Sequence, residues 1–395
     1  MTRDLAIVKA FRELMPEVEV VWLASEPAAT VLRAAGERLL PESGAYGDDT
    51  ADVERVAKGF KVNLTDHMMA GGRAWPKQFV RFMEIVKREK PDLIVADEAA
   101  EVNVGSAEGT LGPQLPPTIM IFDFMKIYAT TKNPKDLLTA WMINRYYHKA
   151  YKRKQEEWER KHVAVFLGYP EDIPDEKLGL FLMNAREGAK KGFVFVGDIV
   201  RFDPSALADQ AEMKRSLGYG SEPLIVCSVG GTNVGRPLLE LCAKAFPILR
   251  SKIPNARMVL VTGPRIDPGS IAASEGVEVK GYVPDVYKHF AAADLAIVQG
   301  GGTTGLELAA LDRPFLYFPL IEHFEQSITV ASKLEHLGAG VRMDFARTTP
   351  DILANAIKEN LGRKVEYTPP KKGGDKRLAE MMRYMLQNHV APPRV

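Results

Sequence analysis

The sequence predicts an α/β protein of two Rossmann-like, doubly wound parallel-sheet domains, and three observations support this fold class. Strand-like and helix-like runs alternate along the whole chain of 395 residues. Most strand-like runs are short, apolar and β-branched without polar alternation, which is typical of parallel strands covered by helices on both faces. The runs form two sets, and the turn-rich stretch Gly197–Pro204 separates them.

The predicted strands give each domain its own sheet. In chain order they are Val18–Ala24, Leu93–Ala96, Thr118–Phe122, Val163–Leu167 and Phe193–Val196, then Leu224–Val229, Arg257–Val261, Val277–Gly281, Leu295–Val298 and Phe315–Phe318. About five strands is a usual sheet size, so two sheets are expected rather than one. We predict a first domain over residues 1–200, a second over 201–367, and a breaker-rich linker with a terminal helix over 368–395.

The N-terminus begins with a helical pattern, because Ile7, Ala10, Phe11 and Leu14 recur at helical spacing. A domain of this class normally opens with a strand, so we expect the first strand of the N-terminal domain to be missing. Either the domain truly begins with a helix, or residues before Met1 are absent from this sequence. The second interpretation is favoured, since the first leaves a sheet position unfilled.

Composition excludes several classes of protein. The chain is 46% hydrophobic and 26% charged, which rules out disorder and collagen-like structure. Its 52 basic and 51 acidic residues give a net charge of +1, so nothing global indicates a nucleic-acid partner. No apolar run reaches the roughly 20 residues of a transmembrane helix. Two cysteines, Cys227 and Cys242, are too few for a disulfide framework, and a cytoplasmic location fits.

The stretch Tyr146–His162 combines aromatic with basic residues and has two interpretations. It is either a membrane-surface helix, which leaves peripheral contact with the inner face of a membrane open, or a solvated helix that packs Trp141, Tyr147 and Trp158 on its own domain. Acidic residues in the same stretch interrupt a cationic face, so the second interpretation is favoured.

Two glycine-rich loops follow strands of the second domain. Ser228–Gly235 reads SVGGTNVG, and Gln299–Glu307 reads QGGGTTGLE and contains the spacing G-x-G-x-x-G. Glycines let backbone amides approach a ligand, and a following helix N-terminus favours an anion. One such loop alone is a weak signal. Two at the carboxyl edge of one sheet predict a diphosphate site in which the hydroxyls of Thr303 and Thr304 take part.

Two further loops carry candidate contacts. Phe318–Gln326 places Glu322, His323, Glu325 and Gln326 together, and Glu325 and Gln326 suit sugar hydroxyls. A helix N-cap with a solvated helix start is the less favoured alternative. Gly281–Asp285 reads GYVPD and suits the flat face of a base. Glu307, on the first turn of its helix, either accepts hydrogen bonds from a ribose diol or complements the helix dipole.

Together, these four motifs resemble those of GT-B glycosyltransferases, especially family 28 and the related macrolide and UDP-glucuronosyl-type enzymes. The resemblance covers most of Leu224–Met343. It implies a nucleotide-sugar donor held by the second domain, and it assigns the residues as follows: Val283 to the base, Gly231, Thr232, Gly301, Gly302, Thr303 and Thr304 to the diphosphate, Glu307 to the ribose, and His323, Glu325 and Gln326 to the sugar end. Many relatives have a histidine where Gln299 stands.

The implied reaction is inverting transfer of a hexosyl group, with UDP as the expected nucleotide. Relatives have an upstream Gly-x-Gly-His loop whose histidine is the base in several of them, and this sequence starts after that point. Asp97, at the end of a predicted strand, is therefore our candidate base, with Glu98, Asp123 and His67 as further candidates. No Asp-x-Asp occurs, so we expect no obligatory metal and no cofactor.

Competing functions remain open from the sequence. A nucleotide-sugar hydrolase or epimerase uses the same scaffold, and a non-catalytic nucleotide-sugar-binding subunit is favoured by the absence of the usual base. The acceptor, whether lipid, glycan or small molecule, has no signature in the loops Glu42–Asp52 and Val104–Pro117.

Overall fold

A computed structural model describes residues 1–44, 46, 49–63, 75–99, 102, 115–152 and 159–392. The strands are β1 Ile94–Asp97, β2 Thr118–Phe122, β3 His162–Leu167, β4 Val194–Gly197, β5 Leu224–Ser228, β6 Arg257–Val261, β7 Val277–Lys280, β8 Leu295–Gln299, β9 Phe315–Phe318 and β10 Val341–Arg342. The α-helices are α1 Thr2–Leu14, α2 Ala28–Ala34, α3 Asp49–Val56, α4 Trp75–Glu89, α5 Pro134–Lys152, α6 Ala185–Gly192, α7 Gln210–Ser216, α8 Arg236–Lys252, α9 Val286–Ala292, α10 Gly302–Ala310, α11 Ala331–His336, α12 Pro350–Asn360 and α13 Gly374–Asn388.

The chain divides into two compact units. Unit 1 comprises Met1–Val20, Leu64–Ile199 and Lys371–Val395, and unit 2 comprises Val21–Asn63 and Val200–Pro370. Two segments depart from the predicted domain division. Residues 21–63 were expected in the first domain, but Phe60 and Val62 are buried in the core of unit 2. The terminal helix α13 packs with α1 in unit 1.

Unit 2 is built on a six-stranded parallel sheet with the order β7-β6-β5-β8-β9-β10. This is the strand order of doubly wound dinucleotide-binding sheets. Successive residues of β5 enter opposite cores: Ile225 and Cys227 pack in one cluster, Leu224 and Val226 in the other. Both faces of the sheet are therefore buried, which confirms the predicted doubly wound parallel architecture.

Unit 1 contains a four-stranded parallel sheet with the order β1-β2-β3-β4. Ile119 and Ile121 of β2 pack in one core cluster with Ile7 of α1 and Leu378 of α13. The helix predicted from the N-terminal periodicity is thus present as α1. Whether a strand precedes it stays a prediction.

Nine predicted strands are present with ends within one residue of the predicted ones. The exception is Val18–Ala24, which was wrongly predicted as a strand. There, only Trp22 forms an isolated bridge, with Leu39, and no sheet strand pairs with the segment among the described residues. Val18 and Val20 instead pack with their side chains against the core of unit 1, so their apolar character reflects packing rather than a ladder.

Candidate functional site

The two glycine-rich loops of unit 2 leave the sheet side by side. Ser228, the last residue of β5, pairs with Val298 of β8, so both loops begin at adjacent positions on the carboxyl edge. The strand order reverses direction between β5 and β8, and ligands of open α/β sheets bind in the crevice at that point. The structure therefore brings together the two loops in which the sequence analysis placed the diphosphate.

Packing explains some of the glycines in these loops and one glycine, Gly263, in the neighbouring loop after β6. A Cβ atom on Gly235 would lie 2.3 Å from Val229 Cβ, and one on Gly263 would lie 2.2 Å from the Gly230 carbonyl oxygen. Gly230 also has a φ of +78°, a conformation that glycine adopts without strain. At these positions the fold itself requires glycine.

Two other glycines have no such structural requirement. Gly301 has a φ of −76°, and a Cβ atom there would meet no atom within 4 Å. A Cβ atom on Gly231 would make only an ordinary contact, 3.5 Å from Pro27 Cγ. Both residues belong to the predicted diphosphate set. Their lack of a side chain keeps space open directly beside the backbone at the switch point of the sheet.

The N-terminus of α10 faces this space without a cap. Gly301 is the N-cap residue, no side chain accepts a hydrogen bond from the first turn, and that turn contains no acidic residue. The amides of Gly302, Thr303 and Thr304 have no partner within the helix, because the first turn of any helix lacks preceding carbonyls. These half-buried residues present a positive helix end without an acidic residue in its first turn, and such an end favours an anion.

A carboxylate already lies at the first glycine loop. The Asn233 amide, which opens a short 3₁₀ turn over Asn233–Gly235, donates a hydrogen bond of 2.7 Å to Glu54 Oε1. Arg265 Nη2 holds the other oxygen of Glu54 at 3.0 Å. Glu54 lies on α3, a segment that sequence reasoning did not connect with this site. Its carboxylate accepts the hydrogen bond of one backbone amide of the first glycine-rich loop. It also adds negative charge beside the other backbone amides of that loop.

We expect the substitution Glu54→Gln to strengthen binding of UDP about fivefold, the equivalent of ~1 kcal/mol. The neutral amide removes a like charge from the neighbourhood of the diphosphate and still accepts a hydrogen bond from Arg265. Isothermal titration calorimetry measures the change. Glu240→Gln is the matched control, since Glu240 is a half-exposed partner of Arg236 on α8. Equal or weaker UDP binding by the Glu54 variant would contradict the expectation.

The loop after β9 is held by its own predicted site residues. Gln326 Oε1 accepts a hydrogen bond of 3.0 Å from the Leu320 amide, and His323 Nδ1 accepts one of 3.4 Å from the Gln326 amide. Both side chains are buried. Glu325 is half-buried and begins a π-helical turn, Glu325–Val330. His323 and Gln326 thus shape the loop, and their contacts with a sugar stay predictions, as does that of Glu325.

Glu307 is enclosed in an ion pair that the sequence did not reveal. Its side chain is 1% exposed, and its Oε1 and Oε2 atoms lie 2.5 Å from Nε and 3.4 Å from Nη2 of Arg201. Burial raises the pKa of Glu307, and Arg201 opposes that rise. A ribose contact, which also stays a prediction, would therefore compete with Arg201 for the carboxylate.

Arg201 links the ion pair to the loop predicted to meet the base. Its Nη1 donates to the Pro284 carbonyl at 3.1 Å, and its guanidinium lies 4.7 Å from the centre of the Tyr287 ring. Val283, the predicted base contact, is half-buried against the core of unit 2. Arg201 lies within the predicted boundary stretch Gly197–Pro204, where no motif marked it.

In unit 1, the candidate base Asp97 ends β1 and is held by Arg3. Arg3 Nη2 lies 2.7 Å from Oδ1 and 3.0 Å from Oδ2 of Asp97, and its Nη1 donates to Asp123 at the end of β2. Burial raises the pKa of Asp97 to about 7, although Arg3 acts to lower it. Asp123 Oδ1 is buried, with no hydrogen-bond partner among the described residues. His67 lies outside the described residues.

The described residues contain neither a metal-binding cluster nor a helix that could span a membrane. No group of three or more histidine, cysteine, aspartate or glutamate side chains there has an arrangement that would hold a metal ion. No helix in the same ranges combines the length and apolar character needed to cross a bilayer.

Two α/β units, each built on a parallel sheet, define a protein of the GT-B fold class. Residues 225–382 match the glycosyltransferase family 28 C-terminal domain. This part of the chain is thus similar to the family that its motifs predicted, and the fold is of the predicted GT-B class.

Known proteins similar to this chain agree with that assignment. An uncharacterized glycosyltransferase from Methanosarcina mazei is 35% identical over 107 residues, which are 27% of this chain and 28% of that protein. A UDP-N-acetylglucosamine–N-acetylmuramyl-(pentapeptide) pyrophosphoryl-undecaprenol N-acetylglucosamine transferase from Methylorubrum populi is 30% identical over 171 residues, 41% of this chain and 45% of that protein. The chain thus spans less than half the length of these curated relatives.

A solved structure extends the likeness over nearly the whole chain. Spinosyn rhamnosyltransferase superimposes with a TM-score of 0.54, covering 98% of this chain and 94% of that one. The two sequences are 14% identical, so this likeness concerns the fold alone.

Proposed function

We propose that this protein transfers a hexosyl group from a UDP-sugar to an acceptor hydroxyl, with inversion and without a metal ion. The observation that carries the proposal is the uncapped N-terminus of α10 beside Gly301. The packing of the fold does not require glycine at this position, so the absence of a side chain leaves space open for a ligand. An uncapped helix end with open backbone amides is suited to a diphosphate. The family match and the UDP-sugar in the name of the Methylorubrum relative support this choice of ligand.

In this mechanism the protein stabilises the leaving group. The amides of Gly302, Thr303 and Thr304, the two threonine hydroxyls, and the loop of Gly231 and Thr232 hold the diphosphate. Negative charge grows on it as the bond to the anomeric carbon breaks, and fixed amide dipoles stabilise that charge without reorganising. The acceptor hydroxyl attacks from the opposite face and loses its proton to a base, for which Asp97 is the candidate that unit 1 offers.

The test combines binding with turnover. Calorimetry should show binding of UDP that persists in excess EDTA, and incubation with UDP-N-acetylglucosamine and a panel of lipid, glycan and small-molecule acceptors should release UDP only when an acceptor is present. Release of UDP at the same rate without acceptor would favour a hydrolase. An isomerised nucleotide sugar would indicate an epimerase, and UDP binding without turnover would indicate a binding subunit. Absence of UDP binding would reject the proposal.

The role of Asp97 predicts a pH profile. Since a base acts when deprotonated, kcat/KM should rise with pH through about 7, the raised pKa of this carboxyl. Asp97→Asn should lower kcat by about 10²–10⁴-fold and remove that limb of the profile. Asp92→Asn, an exposed change just before β1, is the control. If the Asp97 variant kept its rate and Asp123→Asn lost it, the base would be Asp123.

A further inference from the structure

Arg3 connects the candidate base with a second carboxylate. It lies in the first turn of α1, and its guanidinium reaches side chains that are 94 and 120 positions away in the sequence. One of them, Asp97, is the last residue of β1, and the other, Asp123, directly follows the last residue of β2. These two strands are paired in parallel, so their carboxyl ends lie side by side. One guanidinium and two carboxylates therefore meet at the sheet edge where α/β proteins bind ligands.

The guanidinium uses separate nitrogen atoms for the two carboxylates. Nη2 of Arg3 lies 2.7 Å from Oδ1 and 3.0 Å from Oδ2 of Asp97, and Nε lies 3.3 Å from the same Oδ2. Nη1 donates a hydrogen bond to Oδ2 of Asp123. A planar fork of N–H donors can hold two carboxylates at once, whereas an ammonium group is a single point of charge. These contacts fix the position of Asp97 relative to Asp123.

Little water reaches these groups. The side chains of Arg3, Asp97 and Asp123 are 16%, 23% and 24% exposed. Oδ1 of Asp123 is buried, with no hydrogen-bond partner among the described residues. Charges interact strongly where water does not screen them. Arg3 therefore offsets negative charge that solvent offsets only in part.

A third carboxylate, that of Asp4, lies next to this pair. Burial acts to raise the pKa of Asp4, but the positive charges of the Met1 amino group, 2.6 Å away, and of Arg3 hold that pKa at about 2. Asp4 is thus ionised at neutral pH. Its negative charge acts on Asp97 in the same direction as that of Asp123.

Two further titratable groups lie near the cluster. Burial acts to lower the pKa of Arg3, but the surrounding carboxylates, Glu98 among them, raise it. Tyr147 of α5 packs on the core of unit 1, as the favoured interpretation of the stretch Tyr146–His162 predicted. Burial raises the pKa of Tyr147, and the charge of Glu98 acts in the same direction, so this phenol stays neutral. Glu98 thus adds negative charge around Arg3, and Tyr147 adds none.

We propose that Arg3 is a positioning residue for the transfer reaction, which holds Asp97 and Asp123 side by side and keeps Asp97 able to take the proton of the acceptor hydroxyl. This role rests on the proposed function. There, the acceptor oxygen bonds to the anomeric carbon, the bond from that carbon to the diphosphate oxygen breaks with its electron pair on the diphosphate, and the hydroxyl proton moves to Asp97. A carboxylate bound by a guanidinium keeps further lone pairs that can accept this proton. Arg3 acts through Asp97 and not on the reacting atoms.

Loss of Arg3 would leave two close carboxylates with no guanidinium between them. Like charges in such a site disfavour ionisation, so one carboxyl takes up a proton. Burial already raises the pKa of Asp97 to about 7, so Asp97 is the group expected to hold that proton. A protonated carboxyl cannot act as a base, so transfer should slow at neutral pH and recover at higher pH.

The pH profile of kcat/KM tests this role. In Arg3→Met the rising limb should move up by about one pH unit or more, so that the rate on the acid side falls about tenfold. The KM for the UDP-sugar should stay unchanged, because the glycine-rich loops belong to unit 2. Arg3→Lys should give an intermediate shift, since it keeps the charge and loses the fork.

Carbon-13 NMR titration of the aspartate carboxyl groups measures the same effect without an acceptor. The Asp97 signal, assigned by its absence in Asp97→Asn, should titrate at higher pH in Arg3→Met. Adding Asp123→Asn to Arg3→Met removes the repelling carboxylate and should move the titration back toward that of the parent protein. Circular dichroism identifies the folded variants, and Arg3→Lys and the double variant carry the test if Arg3→Met does not fold. Lys9→Met, an exposed change on the same helix, is the control and should alter neither measurement.

The possible results distinguish the role of Arg3 from the proposed function. An unchanged titration of Asp97 in the folded Arg3 variants would overturn this role and leave the proposed function standing. A titration that moves while the rate profile does not follow it would show that Asp97 is not the base, and both assignments would then be wrong. An equal shift in Lys9→Met would indicate an effect of overall charge and would also overturn the role of Arg3.

Discussion

Arg201→Met should lower the free energy of unfolding by about 3–5 kcal/mol, the usual cost of removing one partner from a buried ion pair. Glu307 is almost fully buried, and its two carboxylate oxygens are engaged by the guanidinium of Arg201. Without Arg201 the carboxylate would remain desolvated and unpaired, and the contacts with Pro284 and the Tyr287 ring would be lost as well. Urea unfolding followed by circular dichroism measures the change.

The loss of unfolding free energy caused by Arg201→Met should depend on pH in a defined direction. Burial already raises the pKa of Glu307, and loss of Arg201 raises it further in the folded state only. A carboxyl whose folded-state pKa is raised stabilises the fold below its ordinary pKa, and that stabilisation is lost as pH rises through the raised value. The variant should therefore lie closest to the parent protein in acid and furthest from it at neutral pH.

Two further variants identify the cause. Adding Glu307→Gln to Arg201→Met removes the stranded charge and should recover much of the stability. Arg257→Met interrupts a partly exposed pair with Glu278 and should cost about 1 kcal/mol or less. Equal losses for Arg201→Met and Arg257→Met would show that the burial of Glu307 is not decisive.

The strands of this fold were predictable, because a parallel strand covered on both faces must be apolar at nearly every position. The same logic misassigned Val18–Ala24, since side-chain packing alone also selects apolar residues there. The sequence did not indicate that the terminal helix α13 packs with α1, because a helical pattern shows which face is apolar but not which element covers that face.

At the candidate site, adjacency of the glycine loops was predictable, whereas their charged neighbours were not. Parallel strands place all their carboxyl ends on one edge, so loops after β5 and β8 had to lie near each other. Arg201, Glu54 and Arg3 meet partners far away in sequence, and no local periodicity encodes such pairs. Glu307 illustrates the consequence. It was wrongly predicted on the first turn of its helix, whereas α10 begins at Gly302 and its first turn holds no acidic residue, and the buried partner Arg201 was not foreseen.

Gly301→Val should weaken UDP binding about 100-fold or more while leaving the thermal stability of the protein nearly unchanged. The backbone of Gly301, with φ of −76° and ψ of 137°, suits a β-branched residue, and a Cβ atom there meets nothing within 4 Å. The valine methyl groups would instead fill the space beside the α10 amides. A bound phosphate needs that space, so the loss should appear in calorimetry with UDP and in turnover together.

Gly235→Ala should show the reverse behaviour. Its Cβ atom would lie 2.3 Å from Val229 Cβ and 3.0 Å from Gln299 Oε1, so the strand end must shift, at a cost of about 1–3 kcal/mol in unfolding free energy. Its φ of −75° shows that crowding, not backbone conformation, excludes a side chain. UDP binding at parent strength by a folded Gly301→Val protein would mean that the diphosphate lies elsewhere. The two variants together distinguish Gly301, where the absence of a side chain leaves room for a ligand, from Gly235, where neighbouring atoms leave no room for a side chain.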